Sequence, residues 1–339
     1  MITVLAGGVG AARLLRGMVR AVPASEITAI VNTADDVVLH GLHVSPDLDT
    51  VTYTLAEAGN PETGWGLAGE TWQAMDALDR FGGPTWFRLG DRDLGTHLHR
   101  TGRLAEGVGL ATVTAEITAA WGLEVTLLPM TEDPVATMVT LADGGGTGRK
   151  AGGEVGFQEY FVRLGHSVAV DSVRFDGAEN SRPGPGVLDA LAGADVVVIA
   201  PSNPIVSIGP LLAVPGIADA LRTRRADTVA VSPIVAGAAL KGPADRLMRE
   251  LGHEASVVGV ARLYRDLAAT LVVDTADAGL ADAVEAEGMA CVVTDTIMSS
   301  PDVAALLAKR ILGMPAEDLT PDAGVTPAAG ASRNAEARR

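Results

Sequence analysis

Cysteine is almost missing: Cys291 is the only one in 339 residues. A single thiol excludes an intramolecular disulfide and any cluster of thiolate metal ligands. It sits in the apolar run ACVVTD, where a free cysteine behaves as a small buried hydrophobe. Positive charge is scarce too, with 26 Lys and Arg against 42 Asp and Glu and a net charge of −16. That balance excludes non-specific attraction to nucleic acid or to an anionic membrane surface. Any phosphate must then be held locally, by backbone N–H groups, a few arginines or a metal ion. Long apolar runs are absent as well: none approaches the roughly 20 residues of a membrane span. The N-terminus reads as a strand without a basic leader, so no signal peptide is expected, and the cytoplasm is the expected location.

What is present is apolar bulk and glycine, 47 % and 40 residues. Such a chain can bury a substantial core and make many tight turns. Apolar runs at 2–6, 27–33, 125–130, 195–200, 228–235 and 290–294 read as buried strands. Residues 135–142 and 154–162 alternate like strands. Helical character appears at 11–22, 51–58, 70–81, 108–121, 210–224, 243–251, 280–287 and 302–312. Strands alternating with helices predict an α/β fold: a doubly wound, mainly parallel, Rossmann-like sheet with helical and β-hairpin insertions. We expect one domain over 1–313, with insertions at about 50–125 and 135–177. The Gly-rich link DGGGTGRKAGG, residues 143–153, reads as a flexible hairpin connection. Residues 314–339 have no periodicity and are expected to be a disordered tail.

Four stretches carry chemistry. AGGVGAAR, residues 6–13, follows a strand and opens a helix. Its Gly7, Gly8 and Gly10 let backbone approach a phosphate, and the helix N-terminus offers N–H donors and a partial positive charge. Arg13 on the first turns favours phosphate over a plain tight turn. No Gly-Lys-Ser/Thr follows, so this is not a nucleoside-triphosphatase loop, and the dinucleotide fingerprint is incomplete. NTADDVVLHGLHVSPDLDT, residues 32–50, gathers Asp35, Asp36, Asp47 and Asp49 at the end of a strand. Clustered carboxylates suit Mg²⁺, which prefers oxygen ligands and substrate phosphates. The alternative is turn chemistry, with Asp49 capping a helix from Thr50. In WFRLGDRDLGTHLHR, residues 86–100, Asp93 reads as a helix cap with His97 one turn on, and Arg88, Arg92 or His97 could face a substrate. In APSNPIVSIGPLL, residues 200–212, Ser202 and Asn203 end a buried strand, where open α/β sheets bind ligands. An ordinary N-cap loop is the alternative there.

Together these stretches, with GWGLAGETWQAM, FQEYFVR and VTDTIM, resemble the 2-phospho-L-lactate transferase family, whose mycobacterial members act as phosphoenolpyruvate transferases. The matching pieces run in family order over about residues 2–312. The resemblance implies a step in making the deazaflavin coenzyme F-420. A guanylylated three-carbon phospho-acid would give its phospho-acid part to the ribityl hydroxyl of the deazaflavin Fo, and GMP would leave. It also implies Mg²⁺ and a homodimer. Carried onto this sequence, Asp49 and Arg88 match the deazaflavin contacts. Asp47 and Asp49 become the catalytic carboxylates, and Asp36, Asp47 and Asp49 the metal ligands. Gly7, Gly8, Gly10, Arg13, Ser202 and Asn203 become the donor-binding set. The donor could be phosphoenolpyruvate, phospholactate or phosphoglycerate.

A rival of another class shares the fold and the glycine loop: a regulator that binds a uridine nucleotide sugar without catalysis. Its loop reads GGGTG and its second strand leads to Asp-Asp-Gly-Gly-Ser. ADDVVLHG and SPDLDT in this chain favour the transferase.

Overall fold

Seven apolar runs build the central sheet: β1 (Ile2–Ala6), β2 (Ile27–Val31), β3 (Thr126–Pro129), β4 (Val196–Ile199), β5 (Thr228–Val231), β6 (Thr270–Asp274) and β7 (Ala290–Thr294). The computed structural model describes residues 1–142 and 152–315. The strands lie in the order β7-β6-β5-β4-β1-β2-β3, and each neighbouring pair is parallel. β1 and β2 are buried at every position, which explains their unbroken apolar sequence.

Helices cover both faces, as two parallel-sheet cores require. On one face the helix Gly8–Ala21 packs with the helices Pro46–Leu55 and Pro301–Ile311 through Leu14, Leu15, Val51 and Leu307. On the other, Val187, Leu211, Leu221, Met248 and Val260 close a second core. The strand order reverses between β1 and β4. Ligands bind outside the carboxyl ends of strands at such a reversal, because the two loops leave in opposite directions and open a crevice.

Several elements differ from the sequence expectation. β6 was not among the expected strands, and neither was Val170–Asp176, which pairs antiparallel with Ala136–Leu141. Residues 154–162 hold only the short strand Glu154–Gly156, followed by a helical turn, Glu159–Arg163. The helix expected over 210–224 is two, Gly209–Ala213 and Ile217–Thr223, broken at Gly216 with φ of 96°. The helix expected from residue 51 starts at Pro46, whose ring suits a first helical turn. The core of the Gly-rich link, 143–151, and the tail from 316 onward lie outside the described residues.

Candidate functional site

A cleft of about 520 Å³ opens at the carboxyl ends of β1 and β4. Gly7, Gly8, Gly10, Arg13, Asp47, Asp49, Arg88, Ser202 and Asn203 all line it. Sequence-distant stretches therefore meet at one place. Asp36 does not line it; its neighbour Asp35 does.

The glycines are needed first for packing. A Cβ on Gly10 would stand 2.3 Å from the Pro201 carbonyl oxygen, and one on Gly7 would stand 2.8 Å from Ser207 Cβ. Gly8 has φ of +68°, a left-handed conformation that glycine adopts without strain. Ser202 Oγ ties the two loops together by donating to the Gly7 carbonyl at 2.7 Å. Asn203 Oδ1 accepts from Ile205 N at 2.9 Å and Val206 N at 3.3 Å, so its carbonyl end serves as a helix cap. The helix N-terminus is also partly claimed. Asp47 accepts a hydrogen bond from the Gly8 amide, and a Cβ on Gly7 would lie 3.1 Å from its Oδ2. A carboxylate of this chain thus occupies part of the place a ligand phosphate was expected to fill.

Asp47 and Asp35 form an unneutralised pair. Asn32 Nδ2 donates to Asp47 Oδ2 at 3.0 Å and to Asp35 Oδ2 at 3.1 Å. Burial pushes Asp47 up to about 6, against the Asn32 and Gly8 hydrogen bonds. Burial also pushes Asp35 well above the carboxylate range, with the Asp47 charge adding to it. Asp35 Oδ1 is buried without a hydrogen-bond partner. Two buried carboxylates sharing one amide have lost water and gained no cation. They fit Mg²⁺, which is commonly held by one or two carboxylates with substrate phosphates completing its shell. Among the described residues no three His, Cys, Asp or Glu side chains converge as a metal site. The expected triad of Asp36, Asp47 and Asp49 is therefore not assembled. Asp36 Oδ2 instead accepts from Ser45 Oγ at 2.6 Å.

Asp49 has a different partner. It neither caps a helix nor stands free: both its oxygens accept from the Arg100 guanidinium, Oδ2 at 3.1 Å from Nη1 and Oδ1 from Nη2. Arg100 is 2 % exposed. Burial works against its charge, yet the Asp49 carboxylate outweighs that and raises its pKa. His97, fully buried, lies 3.8 Å from Asp49 Oδ2 through Nδ1 and 3.3 Å from Asp93 Oδ2 through Nε2. Asp93 was expected to cap its helix. Its Oδ1 instead accepts from Tyr53 OH, and the cap is Glu70, whose oxygens accept from Arg92 N at 2.8 Å and Asp93 N at 2.9 Å. Asp49, Tyr53, Asp93 and His97 line the cleft. Arg100 was missed by sequence reasoning: it closes the stretch WFRLGDRDLGTHLHR, but the partner that gives it a role, Asp49, lies 51 residues away.

Aromatic rings also line the cleft, Trp65, Phe157 and Phe161, the last two stacked at 5.5 Å between centroids. Arg88 lies over the Trp72 ring at 4.8 Å and meets Asp76 at 3.2 Å. The cleft thus combines acidic side chains, glycine backbone and aromatic rings, and these lie close together: Gln158 Nε2, next to Phe157, donates to the Asp35 carbonyl at 3.2 Å. It suits a ligand with a phosphate part and a planar part.

Comparison with known proteins agrees with the motifs. The family model for 2-phospho-L-lactate transferase CofD matches residues 2–311. The phosphoenolpyruvate transferase of Streptomyces griseus is 46 % identical over 318 residues, covering 93 % of this chain and 98 % of that one. That of Mycobacterium avium is 39 % identical over 346 residues, covering 96 % and 99 %. In fold the chain is also similar to a crystal structure of a UPF0052 family protein from Bacillus halodurans, with TM-score 0.58 and 20 % identity over 92 % of this chain and 98 % of that one. Matched over almost its whole length, this chain belongs to the 2-phospho-L-lactate transferase CofD family and is a transferase.

Proposed function

We propose that the chain transfers a phosphoenolpyruvate group from its guanylylated form to the deazaflavin Fo, in the cytoplasm, releasing GMP and yielding dehydro coenzyme F-420-0. The observation that carries the reading is a cleft that combines acidic, backbone and aromatic linings. The unneutralised Asp35 and Asp47 carboxylates and the glycine loop line it together with the aromatic rings of Trp65, Phe157 and Phe161. The relatives' name, phosphoenolpyruvate transferase, supports the choice of donor over phospholactate or phosphoglycerate.

In the reaction, the ribityl hydroxyl oxygen bonds to the phosphorus that bears the three-carbon acid. The bond from that phosphorus to the bridging oxygen breaks, and its electron pair leaves on GMP. Catalysis of this kind is mainly positioning and charge stabilisation. Mg²⁺, when bound, would neutralise diphosphate charge. Asp47 and Asp35 would hold it. Asp49 orients the attacking hydroxyl and takes its proton, while Arg100 and His97 fix the carboxylate from behind. Arg88, at the cleft edge, contacts the deazaflavin. Asn203 and Ser202 line the donor side, their oxygens already committed to loop structure.

The test is a donor panel. Protein, Mg²⁺ and Fo are incubated with guanylylated phosphoenolpyruvate, phospholactate or phosphoglycerate. GMP release and the mass gained by the deazaflavin are then measured. Phosphoenolpyruvate is expected to turn over fastest. The Asp49→Asn variant should be slower by about 10²–10⁴-fold in the same assay. No GMP from any donor, with tight binding of a uridine nucleotide sugar, would overturn the proposal in favour of the regulator.

A further inference from the structure

We infer that Lys241 is a donor-binding residue, supplying from another loop a second cation in addition to Arg13; this rests on the donor reading just given. The loop has no lysine of its own. Part of its helix N-terminus is claimed by the Asp47 carboxylate. Mg²⁺ on Asp35 and Asp47 would offset part of a diphosphate's charge there, and side-chain cations would offset the rest. Apart from His97, three basic side chains line the cleft, Arg13, Arg88 and Lys241. Arg88 is engaged with Asp76 and the Trp72 ring.

Lys241 is exposed and follows the short hairpin Ile234–Val235 and Ala238–Ala239, just before the helix Ala244–Glu250. Its side chain reaches over Gly64. A Cβ on Gly64 would stand 3.1 Å from Lys241 Nζ and 3.8 Å from Val9 Cγ1. Val9 lies in the glycine motif, at the start of the helix Gly8–Ala21, so three stretches distant in sequence converge and Gly64 brings the ammonium group near that motif. No carboxylate among the described residues pairs with Lys241. A lysine is suited to this place, since an ammonium on a flexible stem can meet phosphate oxygens at several angles.

The probe is guanosine 5′-diphosphate with Mg²⁺, titrated calorimetrically into wild type, Lys241→Ala and Lys241→Arg. Loss of one charge-assisted contact should weaken binding about tenfold in Lys241→Ala, and Arg should restore most of it. The melting temperature should not move, because the side chain is exposed. In turnover, the KM for donor should rise with that loss while the KM for Fo stays constant. Equal affinity in wild type and Lys241→Ala would overturn the inference and leave the donor reading standing. Failure of wild type itself to bind the probe would overturn both.

Discussion

Asn32 is fully buried and gives its one amide nitrogen to two carboxylates, Asp47 and Asp35. Four aspartates stand within fifteen residues, and the sequence shows them as one cluster. Their partners separate them into three roles. Asp35 and Asp47 face each other across Asn32, Asp36 turns to Ser45, and Asp49 is clamped by Arg100. No spacing rule reveals that clamp, because Arg100 arrives from another helix. Asp36 carries a prediction at this scale. Burial raises its pKa well above the usual carboxylate range. An unfolded Asp titrates near about 3.9. Between those two values the folded state holds a proton that the unfolded state has lost. The stabilisation is thus complete below the unfolded value and disappears as pH rises through the folded one. Asp36→Asn has no such proton to lose. With a chelator present, its melting temperature should exceed wild type at about pH 8, and the gap should close toward about pH 4. A gap independent of pH would assign the titration to another group.

Between elements, close approach decides more than propensity. Gly17 lies in the middle of the helix Gly8–Ala21, where alanine would raise helix propensity by about 1 kcal/mol. Yet a Cβ there would stand 2.3 Å from the Ala304 carbonyl carbon and oxygen of the helix Pro301–Ile311. Backbone cannot rotate away as a side chain can, and overpacking of this kind costs about 1–3 kcal/mol. Gly17→Ala should therefore unfold at lower urea concentration than wild type; a raised midpoint would show that the two helices can part without loss. Most of the sheet was legible because strands buried on both faces must be apolar throughout. Val170–Asp176 was not, since its charged residues face outward on a sheet covered on one side. The cap on the helix Asp93–Ala105 was misread for a related reason. Glu70 supplies it from 22 residues upstream, and this freed Asp93 to meet Tyr53 and His97.

For the whole molecule, the strand reversal between β1 and β4 makes the crevice, and segments between the sheet strands furnish its walls. Loops that end different strands thereby contribute to one site. The surface has exposed apolar side chains beyond the cleft, Val38 at 58 % and Leu98 at 59 % among them. They lie on the hairpin Val37–Leu39 and Leu42–Val44 and on the helix Asp93–Ala105, which pack together. We expect these faces to be covered in a homodimer. Light scattering on a sizing column should then give twice the 34.7 kDa of one chain. A monomer mass at micromolar concentration would remove the dimer.

The sequence by itself determined the α/β alternation, the glycine loop and the cluster of aspartates, and so the family. These follow from local rules: apolar strands, glycine before a helix, and carboxylates in a loop. Only the tertiary structure decided which aspartates stay unneutralised, that Asp47 takes the Gly8 amide, and that Lys241 comes near the glycine motif at Gly64. Charge balance in a buried site depends on partners brought together by the sheet, and those partners are dozens to hundreds of residues apart along the chain.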